Sequence, residues 1–346
     1  MPNNSPMGTP WSGSSTFPKP RCRRRKRRFP MRTFESWARW LAFACVLATP
    51  WRGTAATLAG LAGSRADARL QGLVDAAVAE AGSRAGTNRI GADQIAVTLV
   101  DLAEPAAPKW AAHRGGEAIY PASVVKLFYL VAAHRWMEDG RLAETDEATR
   151  ALRDMIVDSS NDATHHVVDL LTDTTSGPEL APDALAAWHA RRNAVNRYFG
   201  SLGYAGINCN KKPWCEGPYG REVQAIRAFE PKRNLLTTDA TARLMAEIAL
   251  DRAVTPARCA RMRGLLSRDI SAPATPEDQV HGFVGSALRP GMKLWSKAGW
   301  TSQTRHDAAL VELPGGRRVV LVVFTENHAN DEGAIPRVAR TVLERL

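Results

Sequence analysis

Residues 293–324 read KLWSKAGWTSQTRHDAALVELPGGRRVVLVVF, and this stretch decides the fold. It holds three β-rich runs, Lys293 to Lys297, Asp307 to Glu312 and Arg318 to Phe324, with Pro314-Gly315-Gly316 between the last two. A turn of that composition between short β-branched runs is a hairpin signal, so this end of the chain folds as antiparallel strands. A fourth run, Ile95 to Val100, and a fifth beginning at Trp110 lie far upstream. Between the two groups the spacing of apolar residues is helical. The expected class is therefore α/β (α+β): an antiparallel five-stranded sheet built from both chain ends, flanked by helices, with an all-helical lobe inserted at about residues 123–289. A cleft is expected between lobe and sheet.

The flanking helices are expected over 66–84 and 334–346. Those of the lobe are expected over 124–137, 144–156, 161–171 and 181–200, from Asp239 to Leu250 with Thr238 as N-cap, and near 256–267. The segment from Val124 to Met137 is almost continuously apolar, which marks a helix buried on most sides. Residues 203–234 carry Gly, Pro and Asn and are expected as one long irregular loop, a type that tends to be functional. No internal repeat is present.

The chain has 346 residues, 45% of them hydrophobic, and a net charge of +11. That charge is not spread evenly. Residues 1–56 hold eleven basic side chains and one acid, so ten of the eleven net charges belong to this segment and the remainder is nearly neutral. The near-neutral balance gives no reason to expect DNA or RNA on the main body, and no nucleic-acid partner is expected. The same segment has an apolar stretch from Trp40 to Ala48 and small residues at Gly53-Thr54-Ala55-Ala56. A basic region, a short apolar core and a small-residue site make a secretory signal, with cleavage expected after Ala55 or Ala56 and translation starting at Met1 or Met31. The apolar core is too short for a stable membrane span. Residues 57–346 are then the exported domain, periplasmic or secreted, and a monomer is expected.

Three cysteines lie beyond that site. Cys209 and Cys215 are six residues apart in INCNKKPWCEG, and in an exported protein they read as a small disulfide ring. Cys259 is left over and is expected to be buried. No C-x-x-C pair points to zinc, and the adjacent His165 and His166 face different sides of a helix, so no metal or cofactor is expected.

Three short motifs carry chemistry: Ser123-Val124-Val125-Lys126, Ser159-Ser160-Asn161 and Lys297-Ala298-Gly299. Singly each is weak, since roughly one S-x-x-K match arises by chance in a chain of this length. Their context is more specific. Residues three apart share a helix face, so the Ser123 hydroxyl and the Lys126 amine can meet. Ser123 falls at a helix start, where free N–H groups favour negative charge. Lys126 sits among Val125, Leu127 and Phe128, where desolvation favours a neutral amine able to accept a proton. The Ser-Ser-Asn triplet alone would be an ordinary helix cap, and Lys297 alone an edge-strand lysine. Their order and their placement on helix start, pre-helix loop and strand argue for a shared site.

In these motifs, and in the stretch SKAGWTSQTRHDAALVELPGGRRVVLVVFT, the chain resembles the serine β-lactamase and penicillin-recognising family, nearest its class A pattern, over residues 60–346. The resemblance implies a nucleophile at Ser123, its proton acceptor at Lys126, a proton relay at Ser159, an acyl-amide ligand at Asn161, and Lys297 holding Ser159 and a substrate carboxylate. It implies an oxyanion hole from the N–H groups of Ser123 and Trp300, and a carboxylate-binding Arg305. Ala298 stands where the family has Thr, and Thr301 or Ser302 is expected to supply the missing hydroxyl. The 36-residue step from Ser123 to Ser159 is short, which should open the site. The E-x-x-L-N loop signature is absent, and Glu216 is the candidate for the deacylating base, with Glu222 and Glu230 behind it. The implied activity is β-lactam hydrolysis through an acyl-serine. A D-Ala-D-Ala peptidase or esterase acting on a peptidoglycan-like substrate, and a penicillin-binding sensor that acylates without turnover, stay open as alternatives.

Overall fold

The computed structural model describes residues 58–83, 89–214, 216–275 and 278–346. All of these belong to the compact unit Arg52–Leu346. The leader expected over residues 1–56 lies outside them.

The strands are β1 (Arg65–Ala66), β2 (Ile95–Asp101), β3 (Lys109–His113), β4 (Ser267–Arg268), β5 (Lys293–Trp300), β6 (Arg305–Glu312) and β7 (Arg318–Thr325). They form one sheet in the order β1-β3-β2-β7-β6-β5-β4. The five long strands are the expected antiparallel set, joined across the chain ends by β2 against β7. The expectation of a five-stranded antiparallel sheet is corrected at the edges. The sheet has seven strands and is mixed, because β1 pairs with β3 in parallel and β4 extends the other edge beside β5. Two-residue strands carry no periodicity, so no sequence pattern announces them.

The helices are α1 (Ala68–Ala81), α2 (Lys126–Glu138), α3 (Asp146–Ile156), α4 (Asn161–Thr172), α5 (Pro182–Arg192), α6 (Ala194–Ser201), α7 (Gly220–Ala228), α8 (Thr238–Ala249), α9 (Pro256–Leu266) and α10 (Ala334–Leu343). Both faces of the sheet are covered, which explains the unbroken apolar run of β7. Its Val320, Val322 and Phe324 enter the core shared with α2 and α8. Its Val319, Leu321 and Val323 enter the core shared with α1 and α10. Fully burying one such side chain stabilises by about 1.5–3 kcal/mol, so this strand is a large contributor to the fold.

Helix α2 runs through the lobe with every residue from Lys126 to His134 buried. The expected helix over 181–200 is two helices that meet at Asn193. The side-chain oxygen of Asn193 accepts from Asn196 and Asn210, so the break is held by polar contacts. The stretch 203–234 is not wholly irregular: α7 occupies its second half, with Ala225 packed on Leu185 and Trp188. The cap of α8 is Thr237 rather than Thr238, its hydroxyl accepting from the Ala240 N–H at 3.0 Å. Cys209 is a buried free thiol, so the expected pairing with Cys215 is not found, and Cys215 itself lies outside the described residues. Cys259 is a buried free thiol, as expected. Among the described residues no helix is long and apolar enough to cross a membrane.

Candidate active site

Ser123 lies in a 3-10 turn, Ala122–Val125, that leads directly into α2. Ala122 before it has φ of +47°, a left-handed backbone that a residue with a Cβ adopts at a cost. Ser159 has φ of +54°, so one strained position falls at a motif serine and another immediately before Ser123. Strand β5 presses against the Ser123 turn. A Cβ on Gly299 would stand 2.7 Å from the Ser123 amide nitrogen and 2.9 Å from that of Val124. Glycine is therefore the residue that lets strand and nucleophile turn meet, and the N–H of Ser123 lies beside the strand that carries Trp300.

The second motif divides its labour. Ser160 is the helix cap, its hydroxyl accepting from the Ala163 N–H at 3.1 Å. Ser159 and Asn161 instead turn toward Lys126. The Lys126 amine donates to the Ser159 carbonyl at 2.5 Å, to Asn161 Oδ1 at 2.9 Å and to the Ser159 hydroxyl at 3.3 Å. From the other side, Lys297 Nζ donates to the same Ser159 hydroxyl at 3.0 Å. Lys126 and Lys297 are both fully buried. Burial, with the charges of Lys126 and Arg268, holds the Lys297 amine well below the usual lysine range. A hydroxyl shared by two buried amines can accept from one and donate to the other, which is the chemistry a proton relay needs.

Two further residues shape this cluster. Gln279 is buried and uses both ends of its amide. Its oxygen accepts from Lys297 Nζ at 2.6 Å and from the Ala298 N–H at 3.2 Å. Its nitrogen donates to the carbonyls of Ile156 at 3.2 Å and Val157 at 2.8 Å, at the end of α3 just before Ser159. His306 on β6 faces Gly299 across the sheet. Its Nδ1 accepts from the Thr325 N–H at 3.1 Å, so the ring proton is on Nε2, which donates to the Tyr120 carbonyl at 2.9 Å. Burial pulls its pKa down to about 4, so it stays neutral and anchors the approach to Ser123. Neither residue belongs to a motif. Gln279 sits in a stretch with no pattern, and His306 is one polar residue in a strand.

The Arg305 guanidinium binds Glu332 at 2.6 Å and the Ala329 carbonyl at 3.2 Å, over the Phe283 ring. Ala298 is buried and offers no hydroxyl, while Thr301 is half-buried at the end of β5. Trp300 is half-buried at the last position of β5.

The loop after α6 is tied to the lobe at its neck. Tyr129 on α2 donates to the Lys211 carbonyl at 2.9 Å, and Asn234 bonds both the N–H and the carbonyl of Lys211. His165, one turn beyond Asn161 on α4, contacts the Pro213 carbonyl and packs on Trp214. Glu216 is exposed, and among the described residues it has no hydrogen-bond or ion-pair partner. Glu222 is buried, but Arg192 holds it at 2.8 Å and Ser176 donates to it at 2.9 Å. Glu230 is exposed.

A family model described as "Beta-lactamase enzyme family" matches residues 83–346. Among solved structures, the chain is similar to a β-lactamase from Sphaerobacter thermophilus, with 22% identity over 79% of this chain and 96% of that one, at a TM-score of 0.57. It is similar to a β-lactamase from Chitinophaga pinensis, with 15% identity over 80% and 98% of the two chains, at 0.56. PBP-A shares 18% identity over 83% of this chain and 100% of its own, at 0.55. Among curated proteins none matches. The match over residues 83–346, together with a sheet and lobe that meet at the three motifs, makes this chain a member of the β-lactamase enzyme family.

Proposed function

We propose that the protein is an exported serine hydrolase that opens β-lactams on Ser123 and releases the acyl product slowly. The observation that carries this reading is the Ser159 hydroxyl, held at 3.3 Å from Lys126 Nζ and 3.0 Å from Lys297 Nζ. Lys126 first releases a proton through the Ser159 hydroxyl to the Lys297 amine; Ser123 Oγ then attacks the lactam carbonyl carbon while Lys126 takes its proton. The carbon–nitrogen bond then breaks, and the proton passes through Ser159 to the leaving nitrogen. The N–H groups of Ser123 and Trp300 stabilise the oxyanion, a term worth on the order of 10²–10³ in rate per donor. Asn161 binds the acyl amide, and Lys297 binds the substrate carboxylate. Ala298 adds no hydroxyl there, so Thr301 is its neighbour for that task.

Release of the acyl group needs a positioned base for water. Glu222 is committed to Arg192, which leaves Glu216 as the candidate base. An exposed carboxylate with no hydrogen bond to orient it activates water poorly, so deacylation is slow. One neighbour, at 18% identity, is described as a PBP-A variant in an acyl-enzyme complex with penicillin G, which fits the same chemistry.

Mixing the protein with benzylpenicillin and following mass by time distinguishes the readings. A stoichiometric adduct on Ser123 that decays over minutes or longer supports the proposal. Rapid turnover of a chromogenic cephalosporin with no adduct would establish an efficient β-lactamase instead. Cleavage of a D-Ala-D-Ala peptide or a simple ester, with no reaction at the lactam, would rule out the β-lactam assignment.

A further inference from the structure

A pocket of about 270 Å³ opens where the carboxyl end of α4 meets the end of α2 and the junction of α5 with α6. Its lining includes Arg141, Arg191, Arg197 and Asp173, beside Trp136 and Leu170. No motif residue of the candidate active site lines it. Three guanidiniums stand here with one carboxylate, an excess of two positive charges on a domain whose sum is nearly neutral.

These charges are unspent. All four residues are exposed, and among the described residues none of them has an ion-pair partner. Their neighbours differ: Arg135 on α2 pairs with Asp139, and Arg192 on α5 pairs with Glu222 at 2.8 Å. The three arginines are nevertheless held in place. Arg191 Nε donates to the Asp173 carbonyl at 3.1 Å, and Arg197 donates to the Ala190 carbonyl, each satisfying an acceptor at a helix end. The Arg141 guanidinium carbon lies 4.2 Å from the centre of the Trp136 ring, a cation–π contact. Capping of helix ends thus accounts for two of the three and leaves Arg141 without a polar task. A guanidinium has five N–H donors, so one bond to a carbonyl leaves most of the fork open. Such planar forks match the paired oxygens of phosphate. Two net charges in a small hollow suit a compact dianion.

We propose that this pocket is a binding site for a phosphate dianion, free or carried as a monoester, held by Arg141, Arg191 and Arg197 beside Leu170. The inference is independent of the reaction at Ser123.

The test titrates inorganic phosphate into the full chain at constant ionic strength and follows the backbone amide peaks of Leu170 and Ala194 by NMR. The readout is local because residues 1–56 are basic and attract phosphate elsewhere. Saturable shifts are expected, absent when chloride replaces phosphate and weaker as the background salt is raised, since the site is exposed. Arg141→Ala and Arg197→Ala should each weaken binding about three- to tenfold, the effect of one exposed charge-assisted hydrogen bond. Asp173→Asn removes the one opposing charge and should tighten binding about two- to fivefold. Asparagine tolerates the left-handed backbone at that position, where φ is +48°, so this variant keeps its fold. Methyl phosphate in a parallel titration separates the two sources: an ester that binds as well as the free ion places the group on a larger molecule, and one that binds clearly worse restricts the site to inorganic phosphate. Absence of saturable shifts would overturn the proposal, as would an equal response to chloride. So would Arg141→Ala binding phosphate as the parent does, or Asp173→Asn binding it no tighter.

Discussion

Replacing Gly299 by alanine tests whether the nucleophile turn and the third motif form one device. The added methyl would stand 2.7 Å from the Ser123 nitrogen, 2.9 Å from the Val124 nitrogen and 3.0 Å from the Pro121 carbonyl oxygen. All three are backbone atoms, so no flexible side chain can swing aside. An ordinary carbon–nitrogen contact is about 3.4 Å or more, and relief requires β5 and the Ser123 turn to part by roughly 0.5–1 Å. The turn is also held by His306 on the Tyr120 carbonyl, so it does not retreat freely. A misplacement of that size at a reacting centre costs on the order of 10²-fold in rate, and the overpacking costs about 1–3 kcal/mol of stability. The assay is the second-order rate of adduct formation with a fluorescent penicillin, beside a urea melt. Gly264→Ala, whose Cβ meets open space, is the control and should be neutral or slightly stabilising. Acylation by Gly299→Ala within threefold of the unaltered protein would refute the close-approach argument.

Lys126→Ala should slow acylation by about 10³-fold or more while the adduct still maps to Ser123, because the proton acceptor is lost and the hydroxyl remains; an unchanged rate in stopped flow would count against the base role. Gln279→Leu should lower the acylation rate by about tenfold and shift its pH profile, since Lys297 loses an acceptor at 2.6 Å; a profile that overlays the parent would make Gln279 purely structural. Arg305→Ala should leave acylation within about twofold, its guanidinium being held by Glu332, and a large rise in the penicillin concentration needed would return Arg305 to the substrate. Asp307→Asn tests a buried charge. Burial raises the Asp307 carboxyl from 3.8 to about 7, so the folded state holds its proton where the unfolded state has released it. This contribution to stability is whole below pH 3.8 and lost as pH rises through 7, up to ~4 kcal/mol. The variant should therefore gain more in urea melts at pH 8 than at pH 4, and an equal gain at both would contradict the shift.

Legibility in the sequence followed the range of the interaction. The strands of the carboxyl end were readable because alternation and a Pro-Gly-Gly turn are local, and β7 kept its apolar run because helices cover both its faces. Helix α7 was hidden because Gly and Pro mark its entry as loop, and what orders it is Glu222 reaching Arg192 thirty residues back. The break at Asn193 was hidden for a related reason: the partner Asn210 comes from a later loop.

At the site, the motifs told which side chains to expect and in what order, since a nucleophile, an amine one turn away and a pre-helix Ser-Ser-Asn are statements about neighbours in the chain. The tertiary structure alone decided their convergence. Ser159 and Lys297 meet across 138 positions, Gln279 ties Lys297 to the end of α3, and Arg305 pairs with Glu332 from twenty-seven positions on. Periodicity and capping are written by residues a few positions apart. Which distant hydroxyl lies between two buried amines is set by how sheet and lobe pack, and no local pattern encodes that.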